Sequence, residues 1–365
     1  MSVVIFIIIL VALILVHEFG HFIAAKAMRM RVDEFGIGFP PRLFSFRPKR
    51  GETTYSVNAI PFGGFVKIFG EDPSSGEDDP RSFSRRPRAA QAAVIVAGVA
   101  FNILFAWALI TWGFLSGMPM PVGSIEGASV ENPRLVITAV SEGSPADRAG
   151  LRPGDEILAL VLPDRAVQGD ELTPSAVSRA IAEAPAYADI LYKRGDERAL
   201  ARAVPEEGII PDRAAIGITM DVIGTVTLPV FKAIYEAGKT TVSLTWATVR
   251  GFAALIANAF SPGAGPGLAA ITGPVGIAGL VGDAADFGFV YLLGFTALIS
   301  INLAVINLIP FPALDGGRLF FLLIEAVKRS PIKPAVASAA NTIGFLILIA
   351  LMIAVTYNDI MRLVG

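Results

Sequence analysis

Long apolar runs, each nearly free of charge, dominate the pattern of this chain. Four of them, residues 3–27, 90–115, 289–309 and 337–355, reach the ~20 residues that a helix needs to cross a bilayer. Their length and lack of charge predict membrane-spanning helices rather than the core helices of a large soluble protein. The first run begins MSVVIFIIIL, without Lys or Arg. That is unlike the basic start of a cleaved signal peptide, so it reads as a retained span.

Between the spans the pattern changes. Gly36-Ile37-Gly38-Phe39-Pro40-Pro41 is apolar and Gly/Pro-rich but too short to span. Residues 53–60 and 64–68 read as two short strands around Pro61-Phe62-Gly63-Gly64, a hairpin by local signal. Residues 71–80 are acidic and rich in Gly, Ser and Pro, which predicts a solvated loop without chemistry. Further on, residues 135–140 alternate like a strand, 173–184 fit a capped helix and 188–193 a strand. The hundred or so residues of 122–221 are enough for one soluble domain. Residues 228–260 are mildly amphipathic, with Lys232, Glu236, Lys239 and Arg250 among apolar positions. They predict a surface or membrane-lying helix rather than a fifth span.

Composition agrees with the pattern. The 365 residues are 53% hydrophobic and only 17% charged, against about 25% charged in soluble domains. A net charge of -2 sets aside a basic nucleic-acid surface. With no Cys there is no disulfide and no thiolate metal site, so His and carboxylates are the strong ligands that remain. Absence of Cys does not fix the redox compartment. Basic residues set orientation. Arg29, Arg31, Arg42, Arg47, Lys49, Arg50, Arg85, Arg86 and Arg88 follow the first span, and Arg318, Lys328, Arg329 and Lys333 follow the third. Both stretches are expected in the cytoplasm. The N-terminus, the middle region and the C-terminus then lie outside, which in a bacterium is the periplasm.

The chain has two histidines, His17 and His21, around Glu18 in the first span. The run His17-Glu18-Phe19-Gly20-His21 fits HExxH. On a helix, positions i and i+4 share a face, so both imidazoles can grip one Zn2+. Glu18 is then placed as a general base toward water. The bland alternative is a pair of satisfied, buried histidines, but ionisable groups inside a membrane are costly and rarely idle. At 1.5 Å per residue His17 lies about 22 Å along the helix from Ser2, toward the cytoplasmic face. A third ligand must come from elsewhere, and Asp315 is the best candidate. It lies in Leu314-Asp315-Gly316-Gly317, after Pro310 and Pro312 interrupt the third span. Broken helices at membrane depth are tolerated where they line a cavity. Turn chemistry alone allows an ordinary cytoplasmic turn. Depth favours the ligand, because His21 and Asp315 are both expected near the same membrane face.

HEFGH in the first span and NLIPFPALDGG in the third closely resemble the site-2 protease family of intramembrane zinc metalloproteases. The nearest branch is the bacterial one that cuts membrane-bound anti-sigma factors. The resemblance runs over nearly the whole chain in the same order. It implies Zn2+ held by His17, His21 and Asp315, Glu18 as catalytic base, and Asn307 near the active site holding substrate; Asn302 also matches. The second span reads Ala97-Gly98-Val99-Ala100-Phe101-Asn102 where family members commonly show Gly-Pro-x-x-Asn. Val99 replaces the Pro, so no kink is expected, and for Asn102 an interhelical hydrogen bond stands beside any functional role. Residues 36–41 look like the family's re-entrant or membrane-dipping loop. The hairpin carrying Gly64, Phe65 and Val66 is implied to receive the unwound substrate by strand addition. Residues 143–158 resemble the PDZ domains of bacterial proteases, in one copy where members of the branch often have two. Such a domain either takes a peptide ligand by strand addition or sterically blocks large substrates. Thr272-Gly273-Pro274-Val275-Gly276-Ile277 matches a family segment before the third span, read here as a turn.

The expected architecture is therefore a polytopic α-helical membrane protein with about four transmembrane helices, a cytoplasmic membrane-associated β-hairpin and one inserted PDZ (α+β) domain. Residues 1–120 form the N-terminal membrane half, 121–222 the periplasmic PDZ domain, 223–288 a periplasmic or interfacial amphipathic segment, and 289–365 the C-terminal membrane half. The expected place is the bacterial inner membrane. The expected activity is that of an intramembrane zinc endopeptidase. Its partners would be the lipid bilayer and single-span membrane proteins, of anti-sigma-factor type or remnant signal peptides, after a first cut outside the membrane. A catalytically inactive scaffold binding peptides through its PDZ domain is the alternative, and intact His17, Glu18, His21 and Asp315 argue against it. A transporter is disfavoured because four spans show no paired inverted repeats.

Overall fold

The computed structural model describes residues 2–71, 79–184, 186–210, 213–259 and 272–364. The chain opens with α1 (Ser2–Ala27), β1 (Val32–Phe46), β2 (Thr54–Ile68) and α2 (Arg88–Ser116). There follow β3 (Met118–Pro121), β4 (Val130–Val140), α3 (Pro145–Arg148), β5 (Glu156–Val161), β6 (Ala166–Gln168), α4 (Pro174–Ala182), β7 (Ala188–Arg194), β8 (Glu197–Ala203), β9 (Glu206–Ile210), β10 (Arg213–Ala215) and β11 (Ile218–Val226). The chain closes with α5 (Val230–Ala259), α6 (Pro274–Asp286), α7 (Phe289–Leu308), α8 (Asp315–Lys328) and α9 (Pro334–Val364). Two compact units result: Met1–Trp112 with Ile234–Gly365, and Gly113–Ala233.

In the first unit, α1, α2, α7 and α9 are each long and apolar enough to cross a membrane. They mark the chain as a membrane protein. The amphipathic α5 is a continuous helix and not one of these four; residue 260 of the expected segment lies outside the described residues. Gly20 brings α1 and α2 together. A Cβ there would stand 2.5 Å from the Ala97 carbonyl oxygen, so only glycine permits this approach.

The β element departs from the hairpin expectation. Residues 54–68 form one strand, and residues 36–41, expected as a loop, belong to its partner β1. Gly36 faces both Ser56 and Phe65, and Ile37 faces both Val57 and Gly64. The arms on either side of Gly63 thus clasp β1 rather than each other. Local hairpin signals weigh only neighbours in sequence, whereas these partners lie twenty to thirty residues away. Gly38, at φ +78, meets the Ile60 carbonyl so closely that a Cβ would sit 2.6 Å from its oxygen. The sheet rests on the end of α1 through Ala25, Met30, Val32, Ile68 and Val94. Its outer arm leaves Phe39, Leu43, Phe44, Phe46, Val57 and Ile60 exposed, a load of apolar surface that soluble proteins avoid. Of the acidic loop expected at 71–80, residues 72–78 lie outside the described residues.

Thr272-Gly273-Pro274 introduces a helix rather than a simple turn. Pro274 opens α6, where its missing N–H costs nothing. Asp359 of α9, buried at 5% exposure, accepts from the backbone N–H of Gly273 at 3.1 Å and of Gly276 at 2.8 Å. A carboxylate there satisfies orphan donors and meets the positive end of the helix dipole. α6 in turn packs Val281 against Ile9 and Leu13 of α1.

The second unit holds an antiparallel sheet in the order β3-β11-β4-β5-β7-β8, with β6 beside β5 and a separate β9–β10 pair. Its core is built on Ile137, Leu151, Ile157, Leu160, Val177, Ile190 and Ile216. Ser144 caps α3 and Thr173 caps α4 by accepting backbone N–H groups. Gly150, at φ +79, ends the first of these turns. Asp155, 1% exposed, accepts from Arg152 N and from both Arg194 Nε and Nη2 at 2.7 Å. β8, with the sequence ERALARA, carries no clean apolar alternation, so its pattern does not announce a strand.

Candidate metal centre

Helical periodicity puts His17 and His21 on one face of α1, one turn apart, with their Nε2 atoms 3.1 Å from each other. The third group arrives from the break after α7. That helix ends at Leu308, Pro310 and Pro312 interrupt the chain beyond it, and Asp315 begins α8. Asp315 Oδ2 lies 3.0 Å from His17 Nε2 and 3.1 Å from His21 Nε2. Donors at the 2.0–2.1 Å of zinc bonds stand about 3.3 Å apart at the corners of a tetrahedron. Two imidazole nitrogens and one carboxylate oxygen at these separations fit such an ion, and catalytic zinc keeps a fourth corner for water or substrate.

The glycines of LDGG permit a close approach of backbone to backbone. A Cβ on Gly316 would stand 2.2 Å from the Ile309 oxygen, and one on Gly317 2.3 Å from the Phe311 oxygen. They let the start of α8 press onto the carbonyls of the preceding loop, which holds Asp315 against α1. Ala313 adopts φ +75, a left-handed conformation rare outside glycine. α9 buttresses it: Asn341 Oδ1 accepts from Ala313 N at 3.2 Å, and Gly344 packs directly on the Pro312 oxygen.

A cavity of about 230 Å3 adjoins two of the three ligands, lined by Ile14, His17 and Glu18 of α1, Leu303 and Asn307 of α7, and Ala313, Leu314 and Asp315. Glu18 and Asn307 therefore face the same space. Gly64 of β2 lies beside it: a Cβ there would meet Glu18 Cγ at 3.4 Å and Ile14 Cγ2 at 3.6 Å. The other expected substrate residues lie elsewhere. Phe65 packs its ring over Gly36, Val66 joins the cluster at the end of α1, and Asn302 accepts from Thr248 of α5 at 3.3 Å.

Two supports of the site carry no sequence signal of their own. The Val94 carbonyl lies 2.8 Å from His21 Nδ1, so it accepts from an Nδ1–H and leaves Nε2 free to ligate. Backbone acceptors leave no mark in a sequence. Gly98 is visible in the second-span motif, but its purpose is not. A Cβ at this position would stand 2.4 Å from His21 Nε2 and 2.8 Å from His17 Cε1. α2 thus forms a wall of the site that has no room for a methyl group. Gly98→Ala is expected to weaken zinc binding at least ~10-fold, as losses of ligand support do. Gly279→Ala, where nothing lies within 4 Å, should leave it unchanged. Chelator competition on the two purified variants measures both.

Comparison with known proteins places the chain in a lineage. The pattern of peptidase family M50 matches residues 5–351. A relative from Nostoc sp. is 34% identical over 371 residues, covering 100% of this chain and 97% of its own. One from Clostridium perfringens is 34% identical, covering 96% and 95%. RasP of Geobacillus kaustophilus is 29% identical, covering 99% and 98%. The names of all three contain the words zinc metalloprotease. This chain belongs to peptidase family M50, the site-2 proteases, and is a zinc-dependent metalloprotease of the membrane.

Proposed function

We propose that the protein is an intramembrane endopeptidase that cuts single-span membrane proteins, with zinc held by His17, His21 and Asp315 and Glu18 as general base. One observation carries this reading. Three ligand atoms lie 3.0–3.1 Å apart on and beside helices of membrane-spanning length, and Glu18 lines one cavity with His17 and Asp315. Zinc, when bound there, supplies Lewis acidity that makes water a nucleophile near neutral pH and polarises a carbonyl. The Glu18 carboxylate takes one proton from the attacking water and returns it to the peptide nitrogen, so a C–O bond forms as the C–N bond breaks. Asn307, on the same cavity wall, holds the substrate backbone. The arm of β2 starting at Gly64 pairs on one side with β1, and its other edge receives the unwound substrate as an added strand. Positive-inside reasoning puts this site toward the cytoplasm of the bacterial inner membrane, with the Gly113–Ala233 unit outside.

That unit we read as a single PDZ domain that recruits peptide. Two features support recruitment over simple blocking. β3 covers β11 from Ile223 to Val226 and the Val122 N–H reaches the Val222 oxygen, so residues 218–221 lack a strand partner on that side among the described residues. A cavity of about 560 Å3 also lies along α4, lined by Ser178, Arg179, Glu183 and Arg213. Substrates of anti-sigma-factor type or remnant signal peptides, trimmed by a first protease, suit the arrangement.

Two expectations follow. Glu18→Gln should retain stoichiometric zinc while cleavage of a single-span substrate falls ~10²–10⁴-fold, because an amide cannot take the proton; near-normal cleavage would remove Glu18 from the mechanism. Ser178→Trp, which fills the cavity beside α4, should raise KM for a substrate bearing its exterior peptide and leave kcat unaltered. An unchanged KM in a folded variant would return the unit to a merely steric role.

A further inference from the structure

His17 can bind zinc through Nε2 only if its one imidazole proton resides on Nδ1. Its Nε2 is turned to Asp315 and His21. Its Nδ1 lies 3.3 Å from the side-chain amide nitrogen of Asn102 on α2. Asn102 is completely buried, and Ser300 Oγ of α7 donates to its backbone oxygen at 2.8 Å. With the amide nitrogen facing His17, Nδ1 must accept. The ring proton then moves to Nε2, and His17 cannot serve as a ligand. Asn102 Oδ1 meanwhile is buried with no partner among the described residues. The oxygen and nitrogen of an amide have nearly the same shape and are told apart by their partners. Either way round, one amide position stays unpartnered, so burial does not choose between them. The metal chooses. With the oxygen toward His17, Nδ1–H donates to it and Nε2 keeps its lone pair, the arrangement His21 already has against the Val94 carbonyl at 2.8 Å.

We infer that Asn102 is a positioning residue of the zinc site, its Oδ1 accepting from His17 Nδ1–H and so fixing the tautomer and ring plane of that ligand. This rests on the zinc reading proposed above. It also explains why an Asn is tolerated in the middle of a span. A buried amide is expensive in hydrocarbon, and here it is part of the site. Groups of this kind around metal ligands are typically worth 10–100-fold in affinity.

The test uses the full-length protein in detergent, with zinc as the probe. Asn102→Leu, similar in shape but unable to accept, should weaken zinc binding about 10–100-fold by chelator competition. Asn102→Asp, which keeps an accepting oxygen, should restore it to within about threefold of wild type on the same scale. Because the chain has just two histidines, 15N-labelled histidine yields two imidazoles to assign. In the zinc-loaded wild type both should carry the proton on Nδ1. Asn102→Leu should abolish one hydrogen-bonded Nδ1 proton and spare the other, a change that loss of packing alone would not produce. Zinc affinity in Asn102→Leu within about threefold of wild type would overturn the inference. So would an Asn102→Asp variant, melting like wild type without metal, that loses as much affinity as Asn102→Leu. Zinc that stays bound in His17→Ala would instead refute the metal site itself, and the inference with it.

Discussion

One carboxylate and two imidazoles gathered at a single point inside an apolar helix bundle constrain everything around them. Ionisable groups at membrane depth cost several kcal/mol unless they are paired or bound to an ion. His17, His21 and Asp315 present their ligand atoms to one another at 3.0–3.1 Å, a separation that a divalent cation between them turns from a liability into an asset. The packing of the neighbouring elements follows from that point. Gly20 lets α1 meet the backbone of α2, and Gly98 leaves room on α2 for the two imidazoles. Gly316 and Gly317 let α8 begin hard against its own loop. Asn341 and Gly344 of α9 hold that loop from behind. His21 and Asp315 are thereby held by backbone contact, and His17 by a short buried amide, rather than by long, mobile side chains, as a preorganised site requires.

The same economy shows in the polar groups of the bundle. The Val94 carbonyl, Asn102 and the Asp359 carboxylate each sit in or near the bundle and each meets a specific donor or ring nitrogen. None is a stray polar residue. In hydrocarbon an unsatisfied group is heavily destabilising, so polar residues in these spans mark either the site or the joints that hold it.

Much of this is legible in the residues, and the reasons differ by feature. The spans show because twenty apolar residues in a row have few other uses. His17, Glu18 and His21 show because helical spacing alone brings them together. Asp315 needs more, since spacing says nothing about contacts across 298 positions; membrane depth and the broken helix at Pro310 supply the argument. The β element defeats local signals because its partners are remote: the arm at 64–68 pairs with β1, not with 53–60. Gly98 and the Val94 carbonyl stay hidden for a different reason. One acts by lacking a side chain and the other through its backbone, and sequence chemistry is written in side chains. Asn302 matches the family as Asn307 does, one turn and a residue earlier, yet its side chain accepts from Thr248 of α5, a contact that spacing does not announce.

X-ray absorption at the zinc edge of the full-length protein tests the central claim most directly. The account predicts two histidine nitrogens, one carboxylate oxygen and one further light-atom donor at about 2.0–2.1 Å, with one oxygen shell lost or replaced in Asp315→Ala. A spectrum that requires fewer than two imidazoles, or one that Asp315→Ala leaves unchanged, would contradict it.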